Sequence, residues 1–277
     1  MRIDRKIGSF QINTRTGEWR DYATGEGGSD AASLYAYLYT GGHYRAALQA
    51  LANDPLVKAG IASGVTAGVA IVASPLEAAA GKVEYARRLY AAAVGLAGMP
   101  AEAYLRSRGL RPTPAWDGLR ASILPYRGQG RHPVLIAPVA GSDGSLVGVH
   151  RTYLTAAGAK LGVPEPKLTL GQVRGGAIRL GEPTAELTIC EGLEDGLTLT
   201  QVLGVPVWVS GGASFLHLME IPDTVRVLTI GADNDAAGER AAQRAAGALG
   251  VGGRKTRILR PAPGFKDFNS ELQVIKS

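Results

Sequence analysis

The chain has 277 residues, 45% of them hydrophobic, which is enough for one large domain or two small ones with buried cores. It carries 30 lysines and arginines against 24 acidic residues, and the net charge of +6 favours a polyanionic partner without proving one. The single cysteine, Cys190, excludes a disulfide within the chain and a cysteine-based zinc site. The sequence has no apolar run of 18 residues and no signal-peptide core, which predicts a cytoplasmic protein.

Residues 1–55 are predicted to form a small α+β domain. Residues 8–22 alternate apolar and polar positions around a Thr-Gly turn, which indicates two short strands. The GEGGSD segment that follows is interpreted as a flexible corner, with Ser29 or Asp30 as the N-cap of a helix. Apolar residues at helical spacing between residues 34 and 51 predict two short helices.

Residues 56–98 are predicted to connect this domain to the rest of the chain. Their first part is rich in alanine, glycine and valine without clear periodicity and is interpreted as a connector. From residue 82 the spacing becomes helical up to a break at Gly98, and Pro100 begins a second helix that ends at Gly109.

Residues 99–182 are predicted to form a β-rich subdomain that opens with this second helix. The apolar run at 134–139 indicates a strand, the following GSDG a turn, and residues 146–154 the return strand. Residues 160–176 are interpreted as a loop with several basic side chains, and a further short strand is predicted at 177–180.

In the last predicted domain, residues 183–277, strands and helices alternate strictly. Apolar runs separated by helical segments indicate four strands, at 187–190, 207–209, 225–230 and 256–259. Such alternation predicts an α/β fold with a parallel sheet covered by helices. Active sites in sheets of this kind lie at the carboxyl ends of the strands.

Acidic residues follow three of these strands. Glu191 and Asp195 come after the first strand, Asp233 and Asp235 after the third, and Asp267 after the last. Carboxylates crowded together repel one another, so a cation is the natural way to hold them, and hard oxygen ligands suit Mg²⁺ or Mn²⁺. A lone Asp-x-Asp is usually a helix cap, but three clusters at strand ends favour a metal site.

Two glycines fit the same interpretation. Gly192 is expected to let the chain leave its strand sharply while Glu191 points at the ligand. Gly238 is expected to let the helix after Asp235 pack closely. The histidines show no metal spacing and are interpreted as structural; they are His43, His132, His150 and His217.

The motifs EGLED, GADNDAAG and GFKDFN together resemble the Toprim domain shared by bacterial-type primases, topoisomerases and some nucleases. The resemblance covers about ninety residues and implies a catalytic role for Glu191, Asp233 and Asp235. It implies that these three, with Asp195 and Asp267, bind the metal. Asn269 stands where many primases carry an aspartate, so one metal position departs from the family pattern.

Upstream segments favour the primases within this family. PAEAYLRSRGL and HPVLIAPVAGSDGSLVGVHRTYL resemble the β-rich primase subdomain that precedes the Toprim fold. The resemblance implies that Arg151, Lys167, Arg174 and Lys266 contact nucleotide or DNA.

The first fifty residues resemble the second half of a primase zinc ribbon, without its cysteines. No zinc is expected there, and a small hairpin domain with no template role is the alternative. The whole pattern is most similar to the primase-like proteins of phages and mobile elements.

The resemblance implies a DNA primase that uses Mg²⁺ or Mn²⁺, single-stranded DNA and nucleoside triphosphates. A replicative helicase or a separate zinc-bearing subunit is a possible partner, and Trp19, Tyr22 or Tyr153 is a candidate for stacking on template bases. A Toprim nuclease and a non-catalytic DNA-binding regulator of replication are the alternatives. A phospho-acceptor receiver also carries aspartate pairs at strand ends but has no need of the basic β-rich half.

Overall fold

The computed structural model divides into two compact units, residues 1–79 and residues 80–277, which are described separately below. Much of the predicted connector at 56–81, the turn near residue 16, and Tyr22 lie outside the described residues. The residues that the structure describes are 10–13, 18–21, 26–40, 43–53, 75–127 and 129–275.

The first unit is a three-stranded antiparallel sheet followed by two helices. The strands, in the order β1-β2-β3, are Phe10–Ile12, Trp19–Asp21 and Glu26–Gly28; the helices are α1 (Ala31–Tyr39) and α2 (Tyr44–Asn53). Of the two candidate N-caps, Asp30 caps α1 by accepting from the Ser33 amide.

The third strand corrects the prediction of a flexible corner at 25–30. Gly28 pairs with Trp19, and a Cβ at Gly28 would lie 2.5 Å from Nε1 of that indole. The glycine therefore leaves room for the indole, which donates a hydrogen bond to Ser33 and packs 4.8 Å from the Tyr37 ring. Because Trp19 is only 6% exposed, the prediction that it stacks on template bases is wrong.

The β-rich half of the second unit is a four-stranded antiparallel sheet in the order β4-β5-β6-β7. Helix α3 ends at Ala91, earlier than the helical spacing predicted, because Val94 instead forms a β-bridge with Ala121. The elements are α3 (Pro75–Ala91), α4 (Pro100–Ser107), a 3-10 turn (Pro114–Trp116), β4 (Arg120–Pro125), β5 (Arg131–Ala140), β6 (Leu146–Tyr153) and β7 (Lys167–Gly171).

The C-terminal half confirms the predicted parallel sheet with helices between its strands. Four strands run parallel in the order β12-β11-β9-β10, and the short strand β8 pairs antiparallel with β10 at the edge. The elements are β8 (Ile178–Arg179), β9 (Glu186–Cys190), α5 (Leu193–Leu203), β10 (Val207–Val209), α6 (Ala213–Leu216), β11 (Val227–Gly231), α7 (Ala236–Leu249), β12 (Lys255–Leu259) and α8 (Phe268–Ile275). The final helix, α8, was not anticipated from the sequence.

One hydrophobic core runs through both halves of the second unit. Leu105 and Leu135 from the β-rich half belong to the same buried cluster as Leu193 and Leu197 of α5. A β-bridge between Ala140 and Ala177 also joins β5 to the segment that leads into β8. The halves are therefore packed as one body, and the domain boundary placed at residue 182 stays a prediction.

The glycine at position 196 is required by this packing. A Cβ at Gly196 would lie 2.3 Å from Cγ2 of Val209, because α5 lies directly on β10. We expect Gly196→Ala to lower the free energy of unfolding by about 1–3 kcal/mol through overpacking. Gly247, inside α7, has nothing within 4 Å of its Cβ position. Gly247→Ala is therefore expected to raise the free energy of unfolding by about 0.5–1 kcal/mol. Urea unfolding of both variants measures the contrast, and equal effects would contradict it.

Within the part of the chain that the structure describes, every helix is too short or too polar to span a bilayer.

Candidate metal centre

The sheet order brings Glu191 and Asp233 to the same edge. Their strands, β9 and β11, are direct parallel neighbours, with Ile189 opposite Ile230, and both residues follow the carboxyl ends of those strands. Burial, followed by the negative charges of Glu191, Asp267 and Asp235, raises the pKa of Asp233 to about 6. The acidic clusters predicted to converge are therefore close enough to repel one another.

Asp195 completes the buried side of this group. It lies in the first turn of α5, is 8% exposed, and accepts a hydrogen bond of 2.9 Å from the Asn269 backbone. Burial is the main cause that raises the pKa of Asp195 to about 7, and Asp267 and Asp233 add to it. A cation beside these carboxylates would relieve the same repulsion that a proton relieves.

Asp235 and Asp267 are both helix caps as well as members of the cluster. Oδ1 of Asp235 accepts from the Gly238 amide at 2.8 Å at the start of α7, which lowers the pKa of Asp235. Oδ1 of Asp267 accepts from the Ser270 amide at 2.7 Å at the start of α8. Each cap uses Oδ1, so Oδ2 can still contact a cation.

The two glycines of the motifs act differently from each other. A Cβ at Gly238 would lie 2.6 Å from the Asp233 carbonyl oxygen, so this glycine allows the close approach of α7 that the sequence predicted. Gly192 has φ −96° and ψ 144°, which any residue adopts. The expectation of a sharp, glycine-dependent exit at Gly192 is therefore wrong. A Cβ at this position would instead lie 2.9 Å from the Asp195 carboxylate, so the glycine leaves room for that side chain.

Asn269 connects several segments of the fold through its side-chain Nδ2. It is 1% exposed, and its Nδ2 donates to the Arg108 carbonyl at 2.9 Å and to Thr198 Oγ1 at 3.0 Å. These bonds tie α8 to α5 and to the end of α4. Although residue 269 departs from the family pattern, its backbone amide still donates to Asp195 and positions that carboxylate.

Glu194 is the largest feature that the sequence did not reveal. Its carboxylate is buried and accepts from Lys167 Nζ at 2.8 Å and from the Tyr104 hydroxyl at 2.5 Å, with Lys160 Nζ at 3.8 Å. Burial alone would raise its pKa, but the charge of Lys167 and these hydrogen bonds outweigh burial and hold the pKa of Glu194 well below its ordinary value. Its position beside Asp195 in EGLED was the available signal.

Of the basic residues predicted to bind nucleotide, the structure brings Lys167 and Lys266 to the carboxylates. Burial raises the pKa of Glu191 above its ordinary value, and the Ala213 backbone hydrogen bond and the charge of Lys167 partly offset that rise. Lys266 likewise partly offsets the raised pKa of Asp233. Arg174 lies in the turn between β7 and β8, where the Gly175 carbonyl accepts from the Glu220 amide.

Arg151 lies on the opposite face of the β-rich sheet from Lys167. Side chains alternate along β6, and Lys167 pairs with Thr152, the neighbour of Arg151. Arg151 Nη2 donates to the Thr169 carbonyl at 3.1 Å, and its guanidinium lies near Tyr153 on the face that packs against α3. Tyr153 is 1% exposed, so the prediction that it stacks on template bases is wrong.

His150, interpreted from sequence as structural, lies on the same face of the β-rich sheet as Lys167. It is 3% exposed and lines a cavity together with Lys160, Lys167, Gly211 and Phe215. Its Nδ1 has no hydrogen-bond partner among the described residues. Burial is the main cause that lowers the pKa of His150 to about 4, so the ring is neutral at pH 7.

The carboxylates suit a magnesium ion whose other ligands are water molecules and substrate oxygens. No three His, Cys, Asp or Glu side chains in the described ranges are arranged to hold one ion by themselves. Mg²⁺ usually binds one or two protein carboxylates and completes its shell with water and phosphate oxygens. Burial is the largest cause of the raised pKa values of Asp195 and Asp233, and the neighbouring carboxylates raise them further, so a cation would be favoured beside them.

Comparison with known proteins agrees with this geometry. Residues 186–275 match the Toprim domain family. They form a Toprim domain. Residues 80–180, just upstream of the Toprim domain, match a family described as a domain of unknown function (DUF7146). No curated protein matches the chain significantly.

Several solved structures of primases are similar to this chain. The Aquifex aeolicus primase (zinc-binding and RNA polymerase domains) matches with 15% identity and a TM-score of 0.51, over 99% of this chain and 75% of that one. A Pseudomonas aeruginosa DNA primase domain matches with 18% identity and a TM-score of 0.49, over 69% and 74%. The primase fragment of the bacteriophage T7 primase-helicase matches with 19% identity and a TM-score of 0.46, over 62% and 72%. The fold of this chain is therefore similar to that of the Aquifex aeolicus primase fragment.

Proposed function

We propose that this protein is a DNA primase that synthesises short primers on single-stranded DNA. In the proposed reaction, a 3′-hydroxyl attacks the α-phosphate of a nucleoside triphosphate and pyrophosphate leaves. The observation that supports the proposal is that Glu191, Asp195 and Asp267 all lie within electrostatic range of Asp233 beyond the carboxyl ends of the Toprim strands. Two lysines that can bind phosphate lie beside them.

The carboxylates and lysines divide the work in this proposal. Asp233 and Asp235, with Asp195 and Asp267, hold Mg²⁺ or Mn²⁺; Glu191 is a further ligand or the base that accepts the proton of the attacking hydroxyl. The bound ion would lower the pKa of the attacking hydroxyl and neutralise charge on the triphosphate. Lys266 and Lys167 bind phosphate oxygens, and Arg151 and Arg174 are proposed to contact nucleic acid away from the carboxylates.

The proposed setting is replication of a phage or another mobile element. Its partners would be a single-stranded template, nucleoside triphosphates, and a replicative helicase or a separate zinc-bearing subunit. The domain division at residues 55, 98 and 182 belongs to the same proposal.

A priming assay tests the function. The protein is incubated with single-stranded DNA of varied sequence, labelled nucleoside triphosphates, and Mg²⁺ or Mn²⁺. Short products that require the metal support a primase. Template degradation without synthesis would instead indicate a Toprim nuclease, and tight binding to intact template without synthesis a regulatory DNA-binding protein.

Stabilisation by metal is expected to increase with pH. The metal-free pKa values of Asp233, about 6, and Asp195, about 7, lie above the ordinary aspartate value of about 3.9. Their contribution to stability is therefore complete below about pH 4 and is lost as pH rises through 6 to 7, where a cation can replace the proton. We expect Mg²⁺ to raise the Tm by less at pH 5 than at pH 8.

Calorimetry at the two pH values, with and without Mg²⁺, measures this effect. Asp233→Asn cannot ionise, so this variant is expected to show a smaller difference between the two pH values. An equal Mg²⁺ effect at pH 5 and pH 8 in the wild-type protein would contradict the prediction.

A further inference from the structure

Asn234, the residue between the two aspartates of the Asp-Asn-Asp motif, holds the loop that connects β12 to α8. Its backbone amide donates to the Lys266 carbonyl at 2.7 Å. Its side-chain Nδ2 donates to the carbonyls of Phe265 at 2.9 Å and Pro261 at 3.1 Å, and lies 3.4 Å from that of Ala262. One residue thus contacts both ends of the loop.

The loop has few hydrogen bonds of its own. Pro261 and Pro263 lack amide protons, and Gly264 adopts φ +96°. Within the loop, the Phe265 amide donates to the Ala262 carbonyl at 3.2 Å. Apart from Asn234, the Glu271 carboxylate of α8 also contacts the loop, accepting from the Ala262 amide at 3.1 Å. The shape of the loop therefore depends strongly on Asn234.

The end of this loop carries two charges that act on the metal centre. Asp267 raises and Lys266 lowers the pKa of Asp233, so both charges lie within electrostatic range of that carboxylate. Asn234 is also covalently next to Asp233. It therefore joins the acidic cluster after β11 to the cluster after β12.

We propose that Asn234 is a positioning residue for the metal centre. Its amide sets Lys266 and Asp267 at a fixed place relative to Asp233, which prepares the site for a divalent cation and a substrate phosphate. The role needs a side-chain donor: a residue of similar volume without a side-chain N–H group cannot donate to the Pro261 and Phe265 carbonyls. The inference rests on the proposed function for its ligand, but it concerns metal binding and not synthesis.

Mn²⁺ binding to the full-length protein, followed by electron paramagnetic resonance of the free ion, tests the role. Asn234→Ala removes the side-chain carboxamide, and Asn234→Leu keeps its approximate volume without a side-chain donor; both keep the backbone bond to Lys266. We expect both variants to bind Mn²⁺ about 10-fold or more weakly, as is typical when a group that supports a metal ligand is lost. Their Tm without metal is expected to stay within a few degrees of wild type, because Asn234 is exposed.

Gln243→Ala is the matched control. The Gln243 amide donates to Glu239 Oε1 at 2.9 Å on the surface of α7, so its loss is expected to leave Mn²⁺ affinity unchanged. Wild-type affinity in either Asn234 variant would overturn the inference while leaving the primase proposal standing. If the wild-type protein binds Mn²⁺ and the variants weaken it, but no primers form, the inference stands and the primase proposal fails. Absence of Mn²⁺ binding by wild type overturns both.

Discussion

Replacing Asp233 with alanine is expected to lower primer synthesis on the order of 100-fold or more. A metal-binding carboxylate contributes several kcal/mol to stabilising the charge of a phosphoryl-transfer transition state, and about 2.7 kcal/mol corresponds to 100-fold in rate. Asp233 is the carboxylate on which Glu191, Asp235 and Asp267 all act, which places it at the centre of the cluster. Initial rates of primer formation with labelled nucleotides measure the effect.

Loss of the fold would not explain that result. Removing Asp233 relieves repulsion within the cluster, so the metal-free variant is expected to be at least as stable as wild type above pH 7. The matched control is Asp223→Ala, because Asp223 is an exposed aspartate outside the cluster. Synthesis by Asp233→Ala at the rate of the Asp223→Ala control would remove Asp233 from the catalytic site.

Replacing Glu194 with alanine is expected to lower the free energy of unfolding by about 3–5 kcal/mol, because it breaks a buried charge pair and leaves its partner uncompensated. Its side chain is only 6% exposed, and the lysine it pairs with, Lys167, is itself partly buried. The Tyr104 hydroxyl would also lose its acceptor inside the core. Urea unfolding at pH 7 measures the loss.

Two further variants separate the charge pair from the neutral hydrogen bond. Tyr104→Phe removes one hydrogen bond to Glu194 and is expected to cost about 1 kcal/mol. Glu182→Ala removes an exposed carboxylate and is expected to change stability by less than about 0.5 kcal/mol. If Glu194→Ala is no less stable than Glu182→Ala, the buried pair does not stabilise the fold.

Much of the C-terminal half could be predicted from the local sequence pattern. Alternating strands and helices predicted a covered parallel sheet. The structure confirms it because β9, β10 and β11 are largely buried and each crossover is long enough for a helix. The placement of Glu191, Asp233 and Asp267 after strand ends was equally visible, since it depends only on position along the chain. Their grouping at one edge follows from parallel strands.

The amino-acid sequence by itself determined the fold class, the acidic residues of the site and the resemblance to the Toprim family, because periodicity and spacing are local properties of the chain. Only the tertiary structure decided which face of a strand each side chain occupies and which distant segments meet. Arg151 and His150 lie on opposite faces of β6 because side chains alternate along a strand. Glu194, Lys167 and Tyr104 come from three separate segments, and Asn234 reaches a loop about thirty residues away. No local pattern encodes such contacts, since they depend on how segments far apart in the chain pack against one another.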